Sequence, residues 1–334
     1  MQFAMESLVF NEVNAKGGVN GLQLEAIFLD DKFQPNLTQK HVKTLKSQYD
    51  CDILLCPFGC PVVSLIPKVK NKELLVAFPY DGSMELRDPE LKYMLNIRPS
   101  CYHEGYALIK YAHENLKGKR VAIFYMDSSY GKSGLAGAQQ ALKDLGITEW
   151  LETSHLPNSM DVENSVEKIK TFNPDTILFC SIHEPANELI RQLGVINVVG
   201  KNLLGIHPHG YQRATLKKLG FNIIVTRIVP NWKDDSIQLI QEYNTHIKNA
   251  SCNPSFASLE GFIAASVFVD ALKKVVGEIT NDKIVEAIES MKNYNLKGLE
   301  LNFKPEIRTL GKLLWIDVAD DQPWIPVNIK FGKA

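Results

Sequence analysis

The amino-acid sequence predicts an α/β protein with two successive sets of mainly parallel strands flanked by helices. Three observations carry that reading. Residues 120–146 spell out a strand, a tight loop and a helix. Strand-like and helix-like stretches then alternate along most of the chain, the pattern of a parallel sheet with crossover helices. One set lies before about residue 100 and the other after it, with no low-complexity linker between them. Two lobes joined by ordered hinge segments fit that pattern better than two domains on a flexible tether.

The unit at 120–146 is the clearest. Residues 121–125 are a short apolar run of the kind that forms a buried strand. Asp127, Ser128 and Ser129 then supply turn and cap chemistry. Leu135, Ala138, Leu142 and Leu145 recur at three- and four-residue steps, one apolar helical stripe, and Gly146 stands where a left-handed residue would end the helix. The loop after such a strand lies at its carboxyl end, where α/β proteins bind ligands, and it holds Tyr130 and Gly131.

The other elements follow in order. Met5, Val9 and Val13 give residues 3–13 an apolar helical face, ended by the glycines of NAKGGVNG. Leu22, Leu24, Ala26 and Phe28 alternate with polar residues and predict a strand. Pro35 opens a polar helix with Val42 and Leu45 inward. Strands are predicted at 53–55, running into PFGCP, and at 74–78, running into PYDGS. A helix at 103–116 leads to the central unit. Strands follow at 176–181, 203–206 and 223–229, with a helix at 184–193 between the first two. Three helices at 237–249, 259–276 and 282–291 come next. Short strands near 299–303, 313–318 and 325–329 close the chain.

Composition excludes several function classes. The 334 residues carry 37 basic and 38 acidic side chains, so charge gives no reason to expect nucleic acid or an anionic membrane as partner. No stretch approaches the ~20 apolar residues of a membrane span. The start has no basic, apolar secretory signal, which implies a cytoplasmic protein or a mature or truncated form. The six cysteines match no disulfide framework for a chain of this length. Cys51, Cys56 and Cys60 form C-x4-C-x3-C, but Cys51 and Cys56 bracket one strand at an odd step and should face opposite sides. Buried thiols are expected there rather than a metal site. MDSSYGKS, residues 126–133, ends like a phosphate-binding loop but has Met126 where that motif requires glycine. No cofactor and no metal are expected.

Several stretches together resemble the leucine/isoleucine/valine-binding family of type I periplasmic solute-binding proteins. They are FNEVNAKGGVNG from Phe10, LDD at 29–31, PFG at 57–59, ELRDP from Glu85, MDSSYGKSGLAG from Met126 and NPDTILF from Asn173. Their order and spacing, across residues 5–330, carry the resemblance. It implies two α/β lobes linked by three crossovers, a ligand closed between them, and delivery to a membrane permease powered by an ATPase. It implies binding, not catalysis, and a periplasmic location. Lobe one would be 1–100 plus 231–303, and lobe two 101–230 plus 304–334. A cytoplasmic ligand-sensing regulator on the same fold is the alternative, and a P-loop phosphotransferase a more distant one.

The resemblance also implies a ligand-binding set. Gly59 and Cys60 stand where a small hydroxyl residue usually meets a ligand carboxylate. Tyr80, Asp81 and Gly82 form the next loop, and Tyr130 matches a common aromatic hydroxyl. His183 stands where an aromatic is frequent, and His207 where amino-acid binders often carry an acid for the ammonium. The departures at Cys60, Gly82 and His207 favour an aromatic or carboxylate-bearing ligand over an ordinary branched-chain amino acid, and His207→Glu is expected to improve binding of α-amino acids. His209 is expected to be a satisfied loop histidine. Family members open with a strand and a Gly-rich loop before the first helix, whereas this sequence opens inside that helix. Lobe one is therefore expected to lack its first strand, unless the natural protein is longer.

Overall fold

The computed structural model describes residues 2–328. The chain divides into two compact units. The first takes the chain up to Asp81, then Glu85–Arg98 and Val229–Lys312; the second takes Gly82–Met84, Pro99–Ile228 and the chain from Leu313 on.

In the first unit, helices α1 (Gln2–Ala15) and α2 (Pro35–Tyr49) precede strand β1 (Ile53–Leu55). A 3-10 turn (Cys60–Leu65) and the short α3 (Ile66–Lys70) lead to β2 (Leu75–Ala77) and β3 (Met94–Leu95). These strands form a parallel sheet in the order β1-β2-β3. Val76 and Ala77 in its middle strand are inaccessible to solvent, as parallel strands covered on both faces must be.

The segment predicted as a strand at 22–28 is not one. Beyond a bridge between Val19 and Leu22 it runs extended without a ladder, held at Leu24, whose N–H and C=O bond the Asn14 side chain. The alternation in the sequence is real, but a strand also needs a paired neighbour, and Ile53–Leu55 does not pair with it. Leu22, Phe28 and Leu29 consequently remain 56%, 47% and 41% exposed.

The second unit begins, in helix terms, with α4 (Cys101–Leu116), and continues β4 (Val121–Met126), α5 (Ser129–Asp144), β5 (Leu151–His155), α6 (Glu163–Phe172), β6 (Thr176–Cys180) and α7 (His183–Leu193). Next come β7 (Asn202–Gly205), the short α8 (Arg213–Lys218) and β8 (Ile224–Arg227). The chain then returns to the first unit for α9 (Gln238–Asn249), α10 (Phe256–Lys274), α11 (Asn281–Glu289) and the hairpin of β9 (Tyr294–Leu296) and β10 (Leu299–Leu301). Strands β11 (Leu313–Asp317) and β12 (Ile325–Asn328) complete the second unit's sheet, in the order β12-β11-β8-β7-β6-β4-β5. Neighbours from β8 to β5 are parallel, and β11 and β12 add antiparallel at one edge. The last predicted strand extends to Ile329, which lies outside the described residues.

Residues 304–312, expected in lobe two, sit in the first unit. The reason is Arg308, fully buried, which donates to the Met94 and Lys92 carbonyls and pairs with Glu289. Leu310 N–H adds a bond to the Asn96 carbonyl. Removing such a cation from its acceptors would leave a buried charge unpaired, so these contacts dictate where the segment goes.

Within the second unit, α4 and α5 pack through glycine. A Cβ on Gly105 would stand 2.2 Å from the Gly134 carbonyl oxygen, and one on Gly137 would stand 1.9 Å from that of Tyr102. Ser128 caps α5 by accepting from Gly131 N–H, and Gly146 ends it at φ +69°, both as the sequence predicts. Lys132, the lysine of the false phosphate loop, pairs with Asp127 at 2.6 Å.

Candidate functional site

The second unit presents three of the sequence-predicted residues on loops that leave the carboxyl ends of its parallel strands. Tyr130 follows β4, His183 follows β6 and His207 follows β7. Tyr130 and His207 meet edge to face, with ring centroids 6.4 Å apart. Gly82 joins this unit too. Its carbonyl accepts from Cys101 N–H at 2.9 Å, and a side chain there would strike the Cys101 sulfur at 2.3 Å, so only glycine fits. Met84 N–H donates to Ser133 Oγ, which fastens the short segment to α5.

His207 is held by a residue the sequence reading missed. Glu104, on the first turn of α4, has no exposed surface. Its carboxylate accepts from His207 N–H at 2.8 Å, from the His207 ring Nδ1 at 3.0 Å and from Thr226 Oγ1 at 2.5 Å. Burial alone would raise its pKa, but the His207 charge and these hydrogen bonds outweigh burial and hold it at about 2. The carboxylate fixes the proton of His207 on Nδ1. The signal was present in the sequence: Glu104 shares a helical face with Cys101 and Leu108, an acid on an otherwise apolar stripe.

Behind this edge lies a second polar group. His209 is fully buried, its Nδ1 bonded to Gln212 Oε1 at 2.7 Å and its Nε2 to the Ser181 carbonyl at 2.9 Å. Burial drives its pKa down to about 4, so it is neutral at physiological pH and serves as a structural link. His155 Nε2 meets Ser181 Oγ at 2.6 Å and fixes the end of β6 just before His183. His183 is more open and pairs with Glu184 at 3.2 Å.

The first unit carries Gly59, Cys60, Tyr80 and Asp81. The loops after β1 and β2 continue the ladder one step beyond the strands. Tyr80 N–H donates to the Pro57 carbonyl, Gly59 N–H donates to the Tyr80 carbonyl, and Phe58 bridges Tyr80. The Phe58 and Tyr80 rings therefore stack, 5.2 Å apart and 13° from parallel. Arg98 lies 4.1 Å over the Tyr80 ring and makes a two-pronged ion pair with Glu260 at 2.7 and 2.6 Å, both residues nearly inaccessible. Gly59, at φ +75°, gives the Phe33 ring room: a Cβ there would come within 2.2 Å of it. Phe58 and Arg98 were not singled out in the sequence, because neither follows from periodicity.

Asp81 is 2% exposed, and its backbone carbonyl accepts from Arg87. Burial first, then the Asp81 and Asp31 carboxylates, push the Cys60 thiol up to about 11, so it stays protonated and unreactive near neutral pH. All six cysteines are free thiols, and among the described residues no cluster of metal-ligating side chains forms.

Residues 5–313 match the model of a protein family described as "Periplasmic binding protein". The chain belongs to that family. The family consists of solute-binding proteins rather than enzymes, and it is periplasmic. A Pseudomonas aeruginosa "Amino acid binding protein" is 27% identical over 186 residues, 54% of this chain and 49% of that one. A Brucella melitensis "Leu/Ile/Val-binding protein homolog 3" is 26% identical over 263 residues, 74% of this chain and 68% of that one. The chain spans about half of the Pseudomonas protein and 58% of a Salmonella typhimurium "Leu/Ile/Val/Thr-binding protein". In structure it is similar to a "possible leucine/isoleucine/valine-binding protein" from Rhodopirellula baltica, with TM-score 0.85, 21% identity and coverage of 98% and 90% of the two chains. A branched-chain amino acid ABC transporter protein from Thermus thermophilus with bound valine gives 0.81 at 17% identity, covering 100% and 92%. These two likenesses establish the two-lobed type I fold of the family.

Proposed function

We propose that this chain is the solute-binding protein of an ABC-type uptake system and hands a small ligand to a membrane permease. The ligand is amino-acid-like, aromatic or carboxylate-bearing. The residues proposed to contact it are Gly59, Cys60, Tyr80, Asp81, Gly82, Tyr130, His183 and His207. The observation that carries the reading is the Glu104–His207–Tyr130 arrangement at the carboxyl edge of a parallel sheet, in a chain of this family. A buried carboxylate that holds Nδ1–H fixes the orientation of the His207 ring, and a ring so held suits a polar ligand group such as a carboxylate. Tyr130 adds an aromatic edge beside it. The names of the relatives, which speak of Leu, Ile, Val and Thr, support an amino-acid-sized ligand.

Glu104 changes the expectation for His207→Glu. A second carboxylate would stand against a buried first one, and the pair would share a proton rather than carry two charges. The gain for an ammonium ligand is therefore smaller than a full charge reversal would give.

A thermal-shift screen of amino acids, aromatic acids and small amides tests the reading. A ligand at a hundred times its dissociation constant adds about 2.7 kcal/mol to stability. His207→Ala should abolish that shift for carboxylate ligands. A screen without any shift, or a shift untouched by His207→Ala and Tyr130→Ala, would overturn it.

A further inference from the structure

The loops that leave the first unit's sheet carry its ladder one rung further. Leu55, Ala77 and Leu95 stand side by side across β1, β2 and β3. Each strand's third residue beyond that rung is Phe58, Tyr80 or Arg98 in turn, and the bridge between Phe58 and Tyr80 keeps the register. Side chains at one register position project from the same face, about 4.8 Å from their neighbours. Tyr80 follows the middle strand, so Phe58 stands on one side of it and Arg98 on the other. The ring stacks at 5.2 Å on Phe58, and the Arg98 guanidinium covers it at 4.1 Å.

Hydrogen bonds fix the same three loops. Tyr80 N–H donates to the Pro57 carbonyl, and the Tyr80 carbonyl accepts from Gly59 N–H. Buried Arg87 donates through Nη2 to the carbonyls of Asp81 and Arg98, at 3.4 and 3.1 Å, and so ties the second loop to the third. Glu260, on α10, completes the frame by accepting both prongs of Arg98, at 2.7 and 2.6 Å. A buried ion pair of this kind adds little stability over two apolar side chains of similar volume. An apolar pair, however, cannot hold a planar cation flat against a ring, and the two-pronged bond sets the plane of the guanidinium.

We infer that Arg98 and Glu260 are positioning residues for ligand selection, and that Tyr80 meets the ligand through its hydroxyl and not through the face of its ring. Phe58 and Arg98 take the two ring faces, so Tyr80 cannot stack on an aromatic ligand. Its hydroxyl is a donor, and a charged acceptor makes the stronger bond with it. Tyr80 therefore selects for a carboxylate, and an aromatic ring in the ligand gains nothing from it. This assignment rests on the solute-binding role proposed above.

The test titrates the whole chain with two acids and their amides, L-leucine with L-leucinamide and benzoate with benzamide. Tyr80→Phe keeps the stack and removes the hydroxyl. It should weaken an acid at least about tenfold, the loss of a hydrogen bond to a charged acceptor, and weaken the amide less. Arg98→Met with Glu260→Leu should weaken the same acid several-fold while urea unfolding stays near wild type. Arg98→Lys, which keeps a cation and one bond to Glu260, should bind between wild type and that double variant. If the double variant unfolds, weakened acid binding by Arg98→Lys decides. Ring motion gives a readout without ligand. In protein made with 3-fluorotyrosine, the fluorine NMR signal that Tyr80→Phe removes should be two lines in wild type, from a slowly flipping ring. It should be one averaged line in the double variant. Equal binding of an acid by Tyr80→Phe and wild type, or unchanged binding by a stable double variant, would overturn the inference and leave the solute-binding role intact. A single averaged line in both proteins would overturn the positioning of the ring. Failure of both acids to bind wild type would overturn the carboxylate selection; failure of every compound in the thermal-shift screen would overturn the solute-binding role itself.

Discussion

Glu104→Gln should remove much of the acid sensitivity of the second unit. The wild-type carboxyl sits at about 2, against an ordinary value of 4.5. A difference of about 2.5 units corresponds to about 3 kcal/mol at 1.36 kcal/mol per unit. The folded value is depressed, so the folded state binds fewer protons than the unfolded one. The stabilisation is fully present above pH 4.5 and is lost as pH falls toward 2. At pH 3 about 2 kcal/mol of it is already gone. The assay is urea unfolding followed by tryptophan fluorescence in a Trp232→Phe background, where Trp150, Trp315 and Trp324 all report on the second unit. Glutamine keeps the volume but cannot hold the charge, and it should cost stability at pH 7. Between pH 7 and pH 3, wild type should lose about 2 kcal/mol more than the variant. Equal losses in both proteins would refute the assignment of Glu104 as a buried anion paired with His207.

Arg98→Met should destabilise the first unit by about 3–5 kcal/mol by leaving Glu260 buried and unpaired, and Arg98→Met with Glu260→Leu should recover most of that in urea unfolding. No recovery would mean that the Tyr80 stacking contact carries the effect. Iodoacetamide at pH 7.5 should modify exposed Cys252 well before Cys60, as read by mass spectrometry; equal rates would contradict the raised Cys60 thiol. Gly137→Ala should cost about 1–3 kcal/mol by driving α4 and α5 apart. The exposed Lys143→Ala on the same helix should stay within about 0.5 kcal/mol.

Much of the fold was legible because apolar runs and glycine positions are local. The strand at β4, the Ser128 cap and the Gly146 stop all follow from neighbours in sequence. Strand β5 was not found, since Leu151–His155 mixes polar and apolar residues and owes its place to β4 beside it. The segment after Leu22 failed for the opposite reason: it has the pattern of a strand and no partner. At the site, loop positions could be named from the order of strands. Glu104, Thr226 and Phe58 could not, because what makes them matter is a contact across 103, 122 or 22 positions of chain.

The chain's division also bears on how the protein emerges from the ribosome. The second unit's parallel strands all lie in one uninterrupted stretch, Pro99–Ile228. They can pair while the rest is still being made. The first unit has no such luxury: its helices α9 to α11 and the anchoring Arg308 arrive only after that whole stretch has been synthesised. At a rate of ~5–20 residues per second, β1, β2 and β3 wait some ten seconds or more for the part of their core that α9 to α11 supply. Chaperone dependence should therefore concentrate on the first-made strands, and slowing translation should harm this half of the protein more than the other.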